Sequence, residues 1–428
     1  MSNEDPGKPA LGILVGGGPA PGINAVIAAA TIRARLSGSR VIGIRNGFQE
    51  LMAPDGDPGR ELDIHDVSRI HFRGGSALGT SRANPTRDPR ALDAVVESLR
   101  RMGVDRLVTI GGDDTAFSAC RVAEHADGGI RVAHVPKTID NDLDLPPSID
   151  TFGYQTARSV GVDIVQNLMV DAKTTSRWYL VVAMGRKAGH LALGIGKAAG
   201  ATLTIIPEEF GDRPITLEMI VDTIVGSIIK RRAEGRRDGV VVLAEGLVLG
   251  IDPATLEELG TVERDAHGHI RIAEIDFGEI VKNRVRAALS EFDFETTVVS
   301  KDLGYELRCA DPSPYDMEYC RDLGYCAAKY LLEGGSGVLV SMQGGRFVPV
   351  PFGDLLDEAT GRMQVRLVDL ASTRYAIARR YMIRLRRDDF EDAHRLQTLA
   401  NAANLDPADF RKRFEYVVDD ELPPLVLR

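Results

Sequence analysis

The sequence predicts an α/β protein with mostly parallel sheets and room for two domains. Three observations predict it. Short apolar runs alternate with stretches of helical period along most of the chain. Those runs end in glycine-rich or charged turns, the place where open parallel sheets hold ligands. The length, 428 residues, exceeds what one hydrophobic core usually organises.

Composition narrows the function classes. Apolar content of 44% and charged content of 27% are those of an ordinary globular protein, and no apolar run is long enough to span a bilayer. Residues 1–10 are polar and carry no signal-peptide core, so a cytoplasmic protein without membrane attachment is expected. A net charge of −10 argues against general affinity for nucleic acid or an anionic membrane. An anionic substrate would have to find positive charge locally. Cys120, Cys309, Cys320 and Cys326 form no CxxC pair and read as free thiols in a reducing compartment, not as a metal site.

The elements follow in order. Residues 11–15 form an apolar strand that runs into Gly16-Gly17-Gly18-Pro19-Ala20-Pro21-Gly22, then a helix over 23–36 with Asn24 near its start. Such a loop brings backbone N–H groups and a helix N-terminus to a phosphate; a tight turn needing glycine torsions is the other reading. The pattern GxxxxGK[ST] is missing. GxGxxG fails because Pro21 stands where the third glycine should be, and strand 41–44 ends in Arg45-Asn46, not in a ribose-binding acid. Both count against a nicotinamide-dependent oxidoreductase.

Residues 70–82 place glycines and hydroxyls between Arg73 and Arg82, an anion loop or a solvated surface. A helix over 91–102 leads to strand 106–110 and the pentad Gly111-Gly112-Asp113-Asp114-Thr115. Asp113 suits Mg²⁺, a hard cation, and a helix over 116–125 points its N-terminus at the same spot. A helix-capping role explains one aspartate better than two. Strand 132–135 should stop at Pro136, which has no N–H for a ladder. The turn Pro136-Lys137-Thr138-Ile139-Asp140-Asn141-Asp142 sets two carboxylates beside an ammonium. One carboxylate can deprotonate a hydroxyl and the ammonium can hold a phosphate; a polar Asx-rich turn is the alternative.

A polar connection over 148–154 follows, with the domain break expected near 151–155. A helix over 156–172 precedes strand 178–183, which ends at Met184-Gly185-Arg186-Lys187-Ala188-Gly189-His190, two cations beside glycine that suit a phosphate. Strands 203–206 and 240–243 come next. The second ends at Glu245-Gly246, an acid that either holds a sugar hydroxyl or caps a helix. His267-Gly268-His269 reads as the tip of a polar hairpin, not a metal site. Tyr305, Arg308 and Cys309 precede a proline-rich turn, and the arginine-rich stretch 374–387 reads as a solvated or subunit-facing helix.

In this order the motifs resemble those of the phosphofructokinase family: loops 16–22 and 73–82, the pentad at 111–115, the turn at 138–142, Met184-Gly185-Arg186, Glu245, and Tyr305 with Arg308. The resemblance implies two Rossmann-like three-layer domains with the active site in the cleft between them. A phosphoryl-donor and Mg-binding domain would cover 1–153 plus roughly 312–370 and a sugar-phosphate domain 154–311, with a C-terminal helical extension over 371–428.

The resemblance also implies roles. Asp140 is then the general base for the 1-hydroxyl of fructose 6-phosphate, with Thr138, Ile139 and Asp142 around the reacting end. Met184, Gly185, Arg186, Glu245, Tyr305 and Arg308 hold the sugar phosphate. Arg177 reaches its 6-phosphate across a subunit interface, which makes the enzyme a homodimer or homotetramer. Gly17 and Thr115 match donor positions, Asp113 the Mg²⁺ position, and Arg73 a residue that steadies the transferring phosphoryl group. ATP-using members have glycine where this chain has Asp114 and Lys137; the pair resembles the pyrophosphate-dependent branch. A carboxylate at Asp114 would repel the α-phosphate of a nucleotide, and Lys137 restores a cation beside compact pyrophosphate. ATP remains the alternative donor. Two effector-binding arginines of the ATP-dependent branch fall on Ala28 and Ile32, its histidine on Tyr305, and a second sugar-phosphate arginine on Val299, for which Lys301 and Arg286 are candidates.

Overall fold

The computed structural model describes residues 9–53, 56, 58–146, 149–211, 213–252, 255–256, 275–357 and 363–427. The described strands are β1 (Ala10–Val15), β2 (Arg40–Ile44), β3 (Gly59–Glu61), β4 (Val104–Gly111), β5 (Arg131–Pro136), β6 (Arg177–Ala183), β7 (Leu203–Ile205), β8 (Gly239–Ala244), β9 (Thr297–Leu303), β10 (Val338–Gln343) and β11 (Arg346–Pro351). They fall into two compact units, Met1–Ala157 with Tyr305–Arg366 and Arg158–Gly304 with Leu367–Arg428.

The first unit is built on one sheet in the order β11-β10-β5-β4-β1-β2-β3. Its inner pairings are parallel, and β3 and β11 run antiparallel at the edges. Side chains of a strand point alternately to opposite faces, so a strand covered on both sides must be apolar throughout. β1 obeys this: Leu11, Ile13 and Val15 join one core with Val26, Ile27, Leu323 and Ala327, from helices Ile23–Arg35 and Pro314–Leu332. Ala10 and Leu14 join the other with Val95, Leu99, Ala119 and Val122, from helices Pro89–Arg101 and Asp113–His125.

This packing brings three carboxyl-terminal strand ends into register. The Gly16 N–H donates to Ile110 O at 2.9 Å and the Lys137 N–H to Gly111 O at 2.8 Å. The glycine loop, the aspartate pentad and the lysine turn therefore share one edge of the sheet.

The second unit has an all-parallel sheet, β7-β8-β6-β9. Its strand ends are tied the same way: Met184 N–H donates to Leu303 O at 2.9 Å, and Gly246 N–H to Gly185 O at 3.0 Å.

Several boundaries differ from expectation. β5 includes Pro136, since a proline can close a strand as its last paired residue. The helix expected from 116 begins at Asp113, because Gly112 takes the cap position and two acids suit the positive end of a helix. The break between units falls at Ala157, inside helix Tyr154–Thr175 and not in the connection before it. Segment 305–311 groups with the first unit: the backbone at Cys309 and Ala310 packs on Gly74, and the Gly74 N–H donates to the Asp311 carboxylate at 2.9 Å. Residues 367–428 group with the second unit and do not stand apart as an extension. The expected hairpin at His267-Gly268-His269 lies outside the described residues.

The arginine-rich stretch is also corrected. Arg379 and Arg384 are turned inward onto Glu209, at 3.0 and 2.8 Å, with side-chain exposures of 12% and 8% against 6% for the glutamate. Burial alone would raise the Glu209 pKa, but the two guanidiniums hold it below the usual carboxylate range. A depressed folded-state pKa contributes stability above the unfolded value, and that contribution is lost as pH falls through the folded one. Glu209→Ala leaves two buried cations without their shared partner. It should cost about 3–5 kcal/mol in denaturant unfolding at pH 7, with a smaller penalty near pH 3.

Candidate active site

The site is assembled around Lys137. Its backbone follows β5, and its side chain turns inward to donate to Gly18 O; the residue is only 4% exposed. Burial pushes the ammonium pKa down to about 8. Asp140, Asp142 and Asp113 pull it upward, while Arg308 adds to the depression. These charges therefore share one small volume, all within the first unit. A Cβ on Gly17 (φ +80°) would lie 3.3 Å from the ammonium nitrogen, and one on Gly18 2.9 Å from an Arg308 guanidinium nitrogen. Glycine at both positions leaves room for the two cations.

The loops are fixed from below. Thr115, 5% exposed, fills the space that side chains on Gly16 and Gly111 would need. His134 is fully buried, its Nε2 at 3.0 Å from Gly111 O and its Nδ1 at 2.8 Å from Thr109 Oγ1. A carbonyl only accepts, so Nε2 carries the proton and Nδ1 accepts from the threonine hydroxyl. Burial brings the His134 pKa down to about 3, so the ring stays neutral and keeps this pattern across the physiological range. The Gly111 carbonyl thus receives both the histidine and the Lys137 N–H.

The turn itself is wound through Asn141, in the left-handed region at φ 57°. Asp140 N–H donates to Thr138 Oγ1 at 3.0 Å, and Thr151 Oγ1 donates to Thr138 O at 2.7 Å. Ile139 is buried at 4% exposure, pointing away from solvent as an anchor of the turn. Asp113 and Asp114 occupy the first helical turn after Gly112; Asp114 is exposed. The glycine loop departs from expectation: the Gly16 and Gly17 N–H groups already donate, to Ile110 O and to Ser81 O, and hold the loop itself. Arg73 is exposed and 3.6 Å from Asp311, on a loop anchored by Asn24, whose amide donates to Arg73 O and Gly74 O. The Arg308 guanidinium lies 4.6 Å over the Tyr305 ring, and its Nε is buried without a hydrogen-bond partner among the described residues.

The remaining expected residues lie in the second unit, apart from Ala28 and Ile32 in the first. Gly185, at φ 141°, donates its N–H to the Glu245 carboxylate at 3.2 Å. A Cβ on Gly246 would lie 2.7 Å from Arg186 O, so two glycines let these strand ends nest. The Glu245 carboxylate thus holds backbone, and Arg186 is left exposed. Met184 packs on Gly304. Arg177 lies 3.8 Å from Asp171, whose carboxylate also receives the Tyr179 hydroxyl. Val299 is half-buried in β9, Lys301 donates to Asp302 O, and Arg286 lies on the exposed side of helix Phe277–Ser290. Ala28 and Ile32 line an apolar groove of about 570 Å³ with Leu36, Met317 and Tyr325. Sequence reasoning missed His134, Thr151 and Arg366, since a lone buried polar residue in or after a strand carries no local signature.

A buried cation ringed by carboxylates at parallel strand ends defines a phosphoryl-transfer class of site. The chain belongs to the phosphofructokinase family, whose model (Phosphofructokinase) matches residues 10–331. It is 51% identical over 419 residues to the pyrophosphate--fructose 6-phosphate 1-phosphotransferase of Naegleria fowleri, covering 96% of each chain. It is 50% identical over 418 residues to that of Thermotoga maritima, covering 96% of this chain and 99% of that one. Among solved structures, a pyrophosphate-dependent phosphofructokinase from Marinobacter aquaeolei superposes with a TM-score of 0.66 at 18% identity, over 98% of this chain and 94% of the other, which shows the shared fold.

The Lys137 pKa near 8 has a measurable consequence. An anion that needs the charged ammonium binds about tenfold more weakly per pH unit above that value. Calorimetric titration of pyrophosphate between pH 7 and 9.5 should show this weakening, and Lys137→Arg should remove it.

Proposed function

We propose that the chain transfers a phosphoryl group, reversibly, from pyrophosphate to the 1-hydroxyl of fructose 6-phosphate. The observation that carries this reading is Lys137. It is a buried cation beside Asp113, Asp140, Asp142 and Arg308, at a position where nucleotide-using relatives, by the sequence resemblance, have glycine. The two relatives at about half identity over nearly the whole chain bear the name of this activity.

In this reading Asp140 takes the proton of the sugar 1-hydroxyl as that oxygen attacks the nearer phosphorus of pyrophosphate. The bond to the bridging oxygen breaks, and orthophosphate leaves with the electron pair. Lys137 faces the charge that accumulates on the transferring and leaving oxygens. Arg308, whose Nε is buried with no hydrogen-bond partner among the described residues, is a donor for the sugar phosphate, as the resemblance implies. Arg73, on its anchored loop, steadies the transferring group. Thr115 and Gly17 shape the donor pocket, and Thr138, Ile139 and Asp142 hold the reacting end. Arg177, Met184, Gly185, Arg186, Glu245 and Tyr305 are the proposed sugar-phosphate contacts, with Arg177 acting across the interface of a homodimer or homotetramer.

Magnesium fits this donor set. Mg²⁺ usually takes one or two carboxylates and completes its shell with phosphate oxygens and water. Among the described residues no cluster of three or more ligating side chains is found, and Asp113 alone suffices for such an ion. When bound, the ion would neutralise phosphate charge. Among the described residues no helix is long and apolar enough to cross a membrane.

Asp114 selects the donor by charge: its exposed carboxylate, at the helix start, repels the α-phosphate of a nucleotide. A coupled assay with each donor tests the proposal. Turnover is expected with pyrophosphate, and strong turnover with ATP but none with pyrophosphate would reject the donor assignment. Asp114→Gly should shift the ATP-to-pyrophosphate ratio of kcat/KM by about tenfold or more toward ATP, the size of about 1.4 kcal/mol. Asp140→Asn should lower kcat by about 10²–10⁴ with the fold intact by circular dichroism.

A further inference from the structure

We infer that Arg366, beyond the residues the family model matches, is a positioning residue for the catalytic turn. The inference rests on the proposed role of Asp140. The Arg366 guanidinium donates from Nη1 to Ile149 O at 2.7 Å and from Nε and Nη2 to Asn141 O at 3.3 and 3.2 Å. It also donates to Asn141 Oδ1, and its own backbone N–H donates to Asp142 O at 2.9 Å. Leu143 and Val365 form an antiparallel bridge that carries the arginine alongside the turn.

These bonds converge on the one residue that bends the turn. Asn141 is 5% exposed and left-handed, between Asp140 and Asp142. Its amide donates to Asp150 at 2.8 Å, and its Oδ1 also accepts the Thr151 N–H at 3.0 Å. Thr151 in turn donates to Thr138 O. Asparagine is the side chain, glycine apart, that enters the left-handed region most readily, and the bonds that converge on Asn141 select this bend over the other torsions open to it. The arginine enforces it by saturating the Asn141 carbonyl and side chain with one planar fork. Without the fork, two buried carbonyls would lose their donors and the turn would relax toward ordinary torsions. Asp140 and Asp142 leave the backbone on either side of that bend, so its angle sets where the base stands relative to Lys137. A lysine at 366 keeps the charge but replaces the planar five-donor fork by one ammonium on a flexible stem, so the bonds to Asn141 and Ile149 lose their fixed geometry.

The test compares Arg366→Lys and Arg366→Met with wild type. It uses whichever of pyrophosphate and ATP the wild type turns over, so a wrong donor sinks the functional reading and leaves the brace decidable. Displacement of a base by about 1 Å costs about a hundredfold in rate. We expect kcat to fall about a hundredfold in Arg366→Met and about tenfold in Arg366→Lys. KM for both substrates and the pyrophosphate Kd from calorimetry should stay within about threefold. Hydrogen exchange should speed up at the amides of Asp140 and Thr151 and stay unchanged along β5. If Arg366→Met fails to fold, Arg366→Lys with its exchange pattern decides. A kcat within about threefold of wild type in the folded variants overturns the inference. So does a loss of rate matched by the loss of folded protein with unaltered exchange at the turn.

Discussion

A lysine ammonium out of water is the constraint on which the rest of this structure depends. Charge is costly to bury, and a lone ammonium in an apolar interior would shed its proton. Lys137 escapes that fate only partly: burial brings its pKa down to about 8 and no further, because Asp140, Asp142 and Asp113 stand nearby, and Gly18 O accepts a hydrogen bond from the ammonium. That position requires β1, β4 and β5 to end together, glycines at 17 and 18 to leave space, and Thr115 to close the floor. The carboxylates keep the ammonium charged and its hydrogen bond to Gly18 O fixes where it stands.

The supporting polar groups make this arrangement rigid. His134 spends both ring nitrogens inside the sheet, one on Thr109 and one on Gly111, and thereby fixes the carbonyl that also receives the Lys137 N–H. Asp316, fully buried, accepts from the N–H groups of Gly153 and Thr156 and from the Thr156 hydroxyl, and so fixes the start of helix Tyr154–Thr175. Each is a satisfied buried polar group whose removal would leave partners unpaired. The second unit applies the same economy at Gly185, Glu245 and Gly246, where close backbone approach replaces side-chain bulk.

Much of this was legible beforehand. The apolar runs within β1, β4, β5, β6 and β8 are consistent with buried parallel strands, and their shortness and the turn residues that bound them favour a strand over a buried helix. The turn from Pro136 to Asp142 reads by itself as either a polar turn or a site, and the motifs before and after it, in the order of the phosphofructokinase family, favour the site. Several of the groups that escaped notice have a partner far away in the chain. Arg379 and Arg384 look like surface charge until Glu209 is beside them, well over a hundred residues earlier. Arg366 looks equally ordinary until Asn141 is its neighbour.

The sequence by itself determined the strand–turn–helix rhythm, the chemistry available at each strand end, and the identity of the acids and bases that can meet a phosphate, because these follow from local pattern and side-chain type. The tertiary structure decided which of them share a volume. It drew Arg308 to Gly18 and Lys137, spent the Gly16 and Gly17 amides on the loop's own bonds, and turned two tail arginines inward. Proximity between distant residues is set by packing and by the cost of leaving a buried charge or carbonyl unpaired, and neither is written in a window of neighbouring residues.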